Sequence, residues 1–98
     1  KGGFDSPRDR HNMNYYVYLL IHQNSKKIIS YVGYTNNLKK RLILHNSSKG
    51  AKFTRGRRWK LIYKQLYKSK SLAMKEEHKL KKNYKQRNLI KKTYLNNV

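Results

Sequence analysis

The sequence predicts an α/β domain of the α+β type: a small antiparallel three-stranded sheet flanked by helices, in the order β-β-α-β-α-α. Three observations lead there. Two aromatic and β-branched runs of strand length, residues 15–21 and 28–34, flank the turn cluster Asn24-Ser25-Lys26-Lys27. Leu38 and Leu42 then stand at helical spacing. A third strand-like run, residues 59–67, precedes two stretches with helical character.

Each element has its own warrant. The run 15–21 is nearly continuous in apolar character, as a buried strand requires. The run 28–34 pairs with it as a hairpin, and Gly33 near its end signals a close backbone approach or a bulge. Thr35-Asn36-Asn37 offers helix N-caps. Leu38, Arg41, Leu42 and His45 follow at i, i+3, i+4 and i+7 and share one face, with Lys39 and Lys40 away from it. That helix ends near Asn46-Ser47-Ser48. Residues 47–58 form a basic loop with Gly50 and Gly56. In the third strand, Trp59, Leu61 and Tyr63 fall on one side. Ser69 or Ser71 caps a helix over about residues 72–83, in which Ala73, Leu80 and Tyr84 make an apolar stripe flanked by Glu76 and Glu77. A last helix, about residues 85–95, is dense in Lys and Arg. Residues 1–12 hold the only Pro, two of the five Gly and both Asp, with no hydrophobic period. They read as a flexible leader or a segment added to the natural chain, with Met13 a candidate native start and residues 13–98 one domain.

Charge narrows the function. Lys and Arg number 25 against 4 Asp and Glu, a formal net charge of +21. Such a surface repels itself unless a polyanion neutralises it. Nucleic acid fits, since phosphate contacts release counterions. No apolar run approaches the ~18 residues of a membrane span, and no three-part signal peptide is visible. Cys is absent, which excludes a disulfide framework and a Cys-based zinc site. The expectation is a cytoplasmic, nucleoid-associated protein. Nine Tyr, two Phe and one Trp cluster beside Leu, Ile and Val, which argues for a folded core over disorder.

The chemistry-bearing residues are few. Beyond the leader the only carboxylates are Glu76 and Glu77. A hard cation such as Mg²⁺ takes oxygen ligands and keeps several waters, so a metal site draws on these two. The alternative is that they only relieve Lys repulsion along the helix. Helical geometry does not choose between them. A charged Arg41 on an apolar stripe is costly unless it meets an anion or snorkels to solvent. With His45 on the same face it suggests a phosphate site, Arg holding the anion bidentately and His handling a proton near neutral pH. Tyr15, Tyr16, Tyr18, Tyr31 and Tyr34 crowd the hairpin. They serve sheet packing, base stacking or, where cations lower the phenol pKa, acid–base chemistry.

These residues also form an ordered series. Tyr16-Val17-Tyr18 followed by Tyr31-Val32-Gly33 resembles the paired motif of the GIY-YIG nuclease superfamily, although position 16 is Tyr where the name motif has Gly. Asn37, Arg41 and His45 resemble the helix that follows it. The stretch Gly50-Ala51-Lys52-Phe53-Thr54-Arg55-Gly56-Arg57-Arg58, Leu61-Ile62-Tyr63, and Ala73 with Glu77 are similar to the small stand-alone bacterial members, called the UPF0213 or excinuclease-C-like group. The resemblance spans about residues 15–85. It implies an endonuclease hydrolysing phosphodiester bonds in DNA, in repair or recombination. It implies Tyr18 as general base or proton relay, Tyr31 in support and Arg41 on the phosphate. His45 would assist proton transfer, and Glu77 would be the single carboxylate for Mg²⁺ or Mn²⁺. Lys39, Lys40, Lys49, Lys52, Arg55, Arg57, Arg58, Lys81 and Lys82 are the expected backbone grips. The expected partner is nucleic acid, DNA before RNA, with no membrane and no small-molecule cofactor. The competing expectation is a non-catalytic nucleic-acid-binding module on the same fold.

Overall fold

The computed structural model describes residues 14–25 and 27–96, so the leader expected at 1–12 lies outside the described residues. The elements are β1 (Tyr15–Gln23), β2 (Ile28–Thr35), α1 (Leu38–Asn46), a 3₁₀ turn (Lys52–Thr54), β3 (Lys60–Tyr67), α2 (Lys70–Lys82) and α3 (Tyr84–Asn96). The three strands form one antiparallel sheet in the order β2-β1-β3. With three helices around it, the domain is α+β, as its strand and helix patterns predict.

The central position of β1 explains its composition. Val17 to Ile21 are all buried, because side chains of a central strand meet cover on both faces. Val17 and Leu19 point to one side and pack with Val32, Ala73 and Leu80, under α2 and α3. Tyr18 and Leu20 point to the other, with Trp59, and are covered by Leu38 and Leu42 of α1. The apolar face of α1 is thus spent on the sheet.

Local chemistry sets the helix starts. The Asn37 side chain accepts from the Lys40 N–H at 3.0 Å and opens α1. Ser69 accepts from the Leu72 N–H at 3.1 Å and opens α2. Asn83 separates α2 from α3, and its side chain accepts from the Gln86 N–H at 2.9 Å. Because of this break Tyr84 begins α3 and is exposed, so it does not extend the Ala73–Leu80 stripe as its spacing suggested.

The third strand also departs from simple alternation. Leu19 pairs with Tyr63 but Leu20 pairs with Leu61, which leaves Ile62 as an extra residue. The bulge switches faces. Trp59 and Leu61 pack on the α1 side, while Ile62 and Tyr63 pack on the α2–α3 side. The expected single row Trp59, Leu61, Tyr63 is therefore split.

Gly33 lies opposite Tyr18 in the register. A Cβ there would stand 2.6 Å from Tyr18 Cζ, so the phenol ring occupies the space any larger residue needs. This is the close approach that Gly33 signalled. Gly33→Ala is expected to cost about 1–3 kcal/mol in urea unfolding, because the buried ring cannot move aside freely.

Candidate active site

Four elements converge on one cluster. Tyr18 comes from β1, Tyr31 from β2, Arg41 and His45 from successive turns of α1, and Thr54 from the 3₁₀ turn. The rings are close: Tyr31 and His45 centroids lie 5.1 Å apart, Tyr18 and His45 5.9 Å, Tyr18 and Tyr31 6.5 Å.

A buried hydrogen-bond chain fixes the imidazole. The Thr54 hydroxyl donates to the Ala51 carbonyl at 2.8 Å. Its oxygen must then accept from His45 Nδ1 at 2.9 Å, so Nδ1 carries the proton. Nε2 is left as the acceptor, and the Tyr18 hydroxyl donates to it at 2.9 Å. Arg41 stands close enough to Tyr18 and Tyr31 to interact with both phenols. Arg41 Nε is buried without a hydrogen-bond partner among the described residues, a donor short of an acceptor.

Burial sets the protonation states. His45 is fully buried, and its pKa falls from 6.5 to about 4, first through desolvation and then through the Arg41 charge. Tyr18 rises to about 12, mainly through desolvation, which outweighs the hydrogen bond from Arg41. The resting site holds a neutral phenol, a neutral imidazole and a cation.

The basic loop closes over this cluster. A Cβ at Gly50 would come within 2.7 Å of His45 Nδ1, so the chain there must be glycine to lie against the ring. Asn46, the last residue of α1, accepts from the Trp59 N–H at 2.6 Å and donates to the Trp59 carbonyl at 3.1 Å. The Trp59 indole N–H donates to the Thr54 carbonyl at 2.9 Å. The ends of residues 47–58 are thereby tied together, and Gly56, at φ 74°, donates to Ser48 Oγ.

The two glutamates separate. Glu76 faces Tyr67, whose pKa its charge helps raise after desolvation, and it pairs with Lys79 at 3.4 Å. Glu77 acts on Tyr18 and pairs with Lys81 at 3.0 Å. Its side chain is only 15% exposed, one turn beyond buried Ala73 on the inward side of α2. Of the two, only Glu77 is among the charges that act on Tyr18. No group of three or more His, Cys, Asp or Glu among the described residues could hold a metal. One carboxylate still fits an ion that keeps its waters and completes its shell from substrate oxygens, as Mg²⁺ and Mn²⁺ do.

The expected backbone grips are scattered around this centre. Lys39, Lys40, Lys49, Lys52, Arg55, Arg58 and Lys82 are exposed. Lys81 is also exposed but engaged with Glu77, and Arg57 is anchored to the Phe53 carbonyl at 2.6 Å. Composition and spacing assigned no role to Thr54, Gly50 or Asn46. Their only signal was a glycine and a threonine set in an otherwise basic loop.

A family model described as the GIY-YIG catalytic domain matches residues 14–92, which include every member of the cluster. The chain belongs to the GIY-YIG family. A UPF0213 protein of Bacillus pumilus is 45% identical over 69 residues, covering 69% of this chain and 67% of its own. One from Oceanobacillus iheyensis is 44% identical over 68 residues, covering 68% and 76%. The solution NMR structure of a UPF0213 protein from Bacillus halodurans is similar at 36% identity over 81% of this chain and 84% of that one, with a TM-score of 0.47. The GIY-YIG family supports a nuclease-type function. Among the described residues no helix is long and apolar enough to cross a membrane.

Because His45 is neutral in the folded state and titrates near 6.5 unfolded, the unfolded chain binds the extra proton between about pH 4 and 6.5. Stability is expected to fall as pH drops through that window, by roughly 3 kcal/mol in total. Urea unfolding at successive pH values reads this slope, which His45→Gln should flatten.

Proposed function

We propose that this GIY-YIG domain is a divalent-metal-dependent endonuclease that hydrolyses phosphodiester bonds in DNA. The observation that carries the reading is the Tyr18 hydroxyl, held between the free nitrogen of a neutral His45 and the guanidinium of Arg41.

This arrangement suits a relay. A phosphodiester anion at Arg41 gives the guanidinium the acceptors it lacks and places the phosphorus beside Tyr18. A water attacking phosphorus passes a proton to Tyr18 Oη as Tyr18 passes its own to His45 Nε2. The bond from phosphorus to the leaving oxygen breaks, that oxygen takes a proton from solvent, and the attacking water's proton rests on an imidazolium whose Nδ1–H still meets Thr54. No tyrosinate forms, which accords with a phenol pKa near 12. The substrate's own negative charge favours the imidazolium that burial and then the Arg41 charge disfavour. Glu77 is the residue to hold Mg²⁺ or Mn²⁺, which when bound supplies positive charge to the phosphate and the leaving oxygen.

In this reading the surrounding cations grip the backbone of DNA in preference to RNA, in a repair or recombination setting. A nicking assay with Mg²⁺ or Mn²⁺ tests the reading. Arg41→Ala, Glu77→Ala and Tyr18→Phe are each expected to lower the rate by about 100-fold or more. Equal cutting by all four proteins would show that this site does not cleave. Salt-sensitive binding without cleavage under either metal would identify a binding module instead.

The relay also fixes a pH profile. With Tyr18 and His45 both neutral, kcat/KM is expected to be level from about pH 6 to 9 at saturating metal. A tenfold rise per pH unit across that range would indicate a tyrosinate base.

A further inference from the structure

Phe53 is an aromatic ring left half in solvent at the edge of the cluster. It lies in the 3₁₀ turn directly before Thr54, yet its side chain is 49% exposed. Its ring is stacked on Tyr31, with centroids 6.2 Å apart and planes within 19°, and Tyr31 in turn packs on His45. Trp59 also lies against Phe53, with centroids 6.1 Å apart. The Arg57 guanidinium lies over the Phe53 ring at 5.1 Å and is anchored by its bond to the Phe53 carbonyl. Lys52, Arg55 and Arg58 stand exposed on the same short segment.

An exposed aromatic ring beside a guanidinium plane, set among phosphate-binding cations, has the chemistry of a nucleobase platform. Its distance from the cluster matters too. Phe53 packs directly on Tyr31, which in turn packs on His45, so its ring borders the cluster. We propose that Phe53, with Arg57, binds an unpaired nucleobase of a DNA strand next to the phosphate held at Arg41. A base inside a duplex is already stacked on both sides and must be unstacked to reach this ring. The surface therefore favours DNA carrying an unpaired nucleotide at the cutting site over fully paired DNA. This rests on the nuclease reading above, since it assumes a phosphate at Arg41.

The test is equilibrium binding of the full chain in EDTA, so that cleavage does not intervene. Two fluorescent DNAs of the same sequence are compared, one fully paired and one with a short single-stranded flap containing 2-aminopurine. Phe53→Ala is expected to weaken flap binding by roughly fivefold to a hundredfold, to leave duplex binding within about twofold, and to abolish the quenching of 2-aminopurine. Phe53→Trp is expected to retain both flap affinity and quenching. If Phe53→Ala binds both DNAs as the natural chain does, or weakens both equally, the platform is refuted while the nuclease reading stands. If the natural chain binds neither DNA, both fall.

Discussion

The hydrogen-bond chain from Tyr18 through His45 to Thr54 is the constraint on which this structure depends. An imidazole with no exposed surface must satisfy both nitrogens inside the protein. One partner comes from the central strand and the other from a turn nine residues further along the chain. Meeting both requirements explains features that otherwise look unrelated. Gly33 makes room for the phenol, Gly50 makes room for the imidazole, and Asn46 and Trp59 tie down the loop that delivers Thr54. The loop is rich in cations, but its path is set by a neutral, buried network.

Charge is arranged by contrast. The buried Tyr18–His45–Thr54 chain is itself uncharged, and Arg41 stands beside it in a protein of net charge +21. Each of the two described acids is paired with a lysine on α2. Only one of them influences Tyr18, and that asymmetry follows from the packing of α2, whose inward side carries Ala73, Glu77 and Leu80. In the proposed reading the basic surface draws in DNA, and one phosphate is held at Arg41, whose buried Nε has no acceptor among the described residues.

Much of this was legible in the sequence, for physical reasons. Strand β1 announces itself because a doubly covered strand must be apolar throughout. The helical spacing of Leu38, Arg41, Leu42 and His45 already put a cation and an imidazole on a buried face. Other features depend on contacts that one-dimensional patterns do not carry. The bulge at Ile62 is hidden because Leu61, Ile62 and Tyr63 are all apolar, so alternation gives no sign of a switch. Tyr84 matched a helical stripe until Asn83 ended the helix. Glu76 and Glu77 differ only in which neighbour each faces, and Lys81 pairs with a specific glutamate that charge counting does not single out. Thr54 is invisible as a partner because its bond to His45 arises from the fold of the intervening loop.

The central claim is that His45 rests neutral, with its proton on Nδ1 and its Nε2 receiving the Tyr18 hydroxyl. Two-bond ¹H–¹⁵N correlation spectra of the ¹⁵N-labelled protein report the tautomer of each histidine directly. His45 is expected to show the Nδ1–H pattern unchanged from about pH 6 to 9. An Nε2–H pattern, or an imidazolium at pH 6, would contradict it, because Tyr18 would then have no acceptor for its proton.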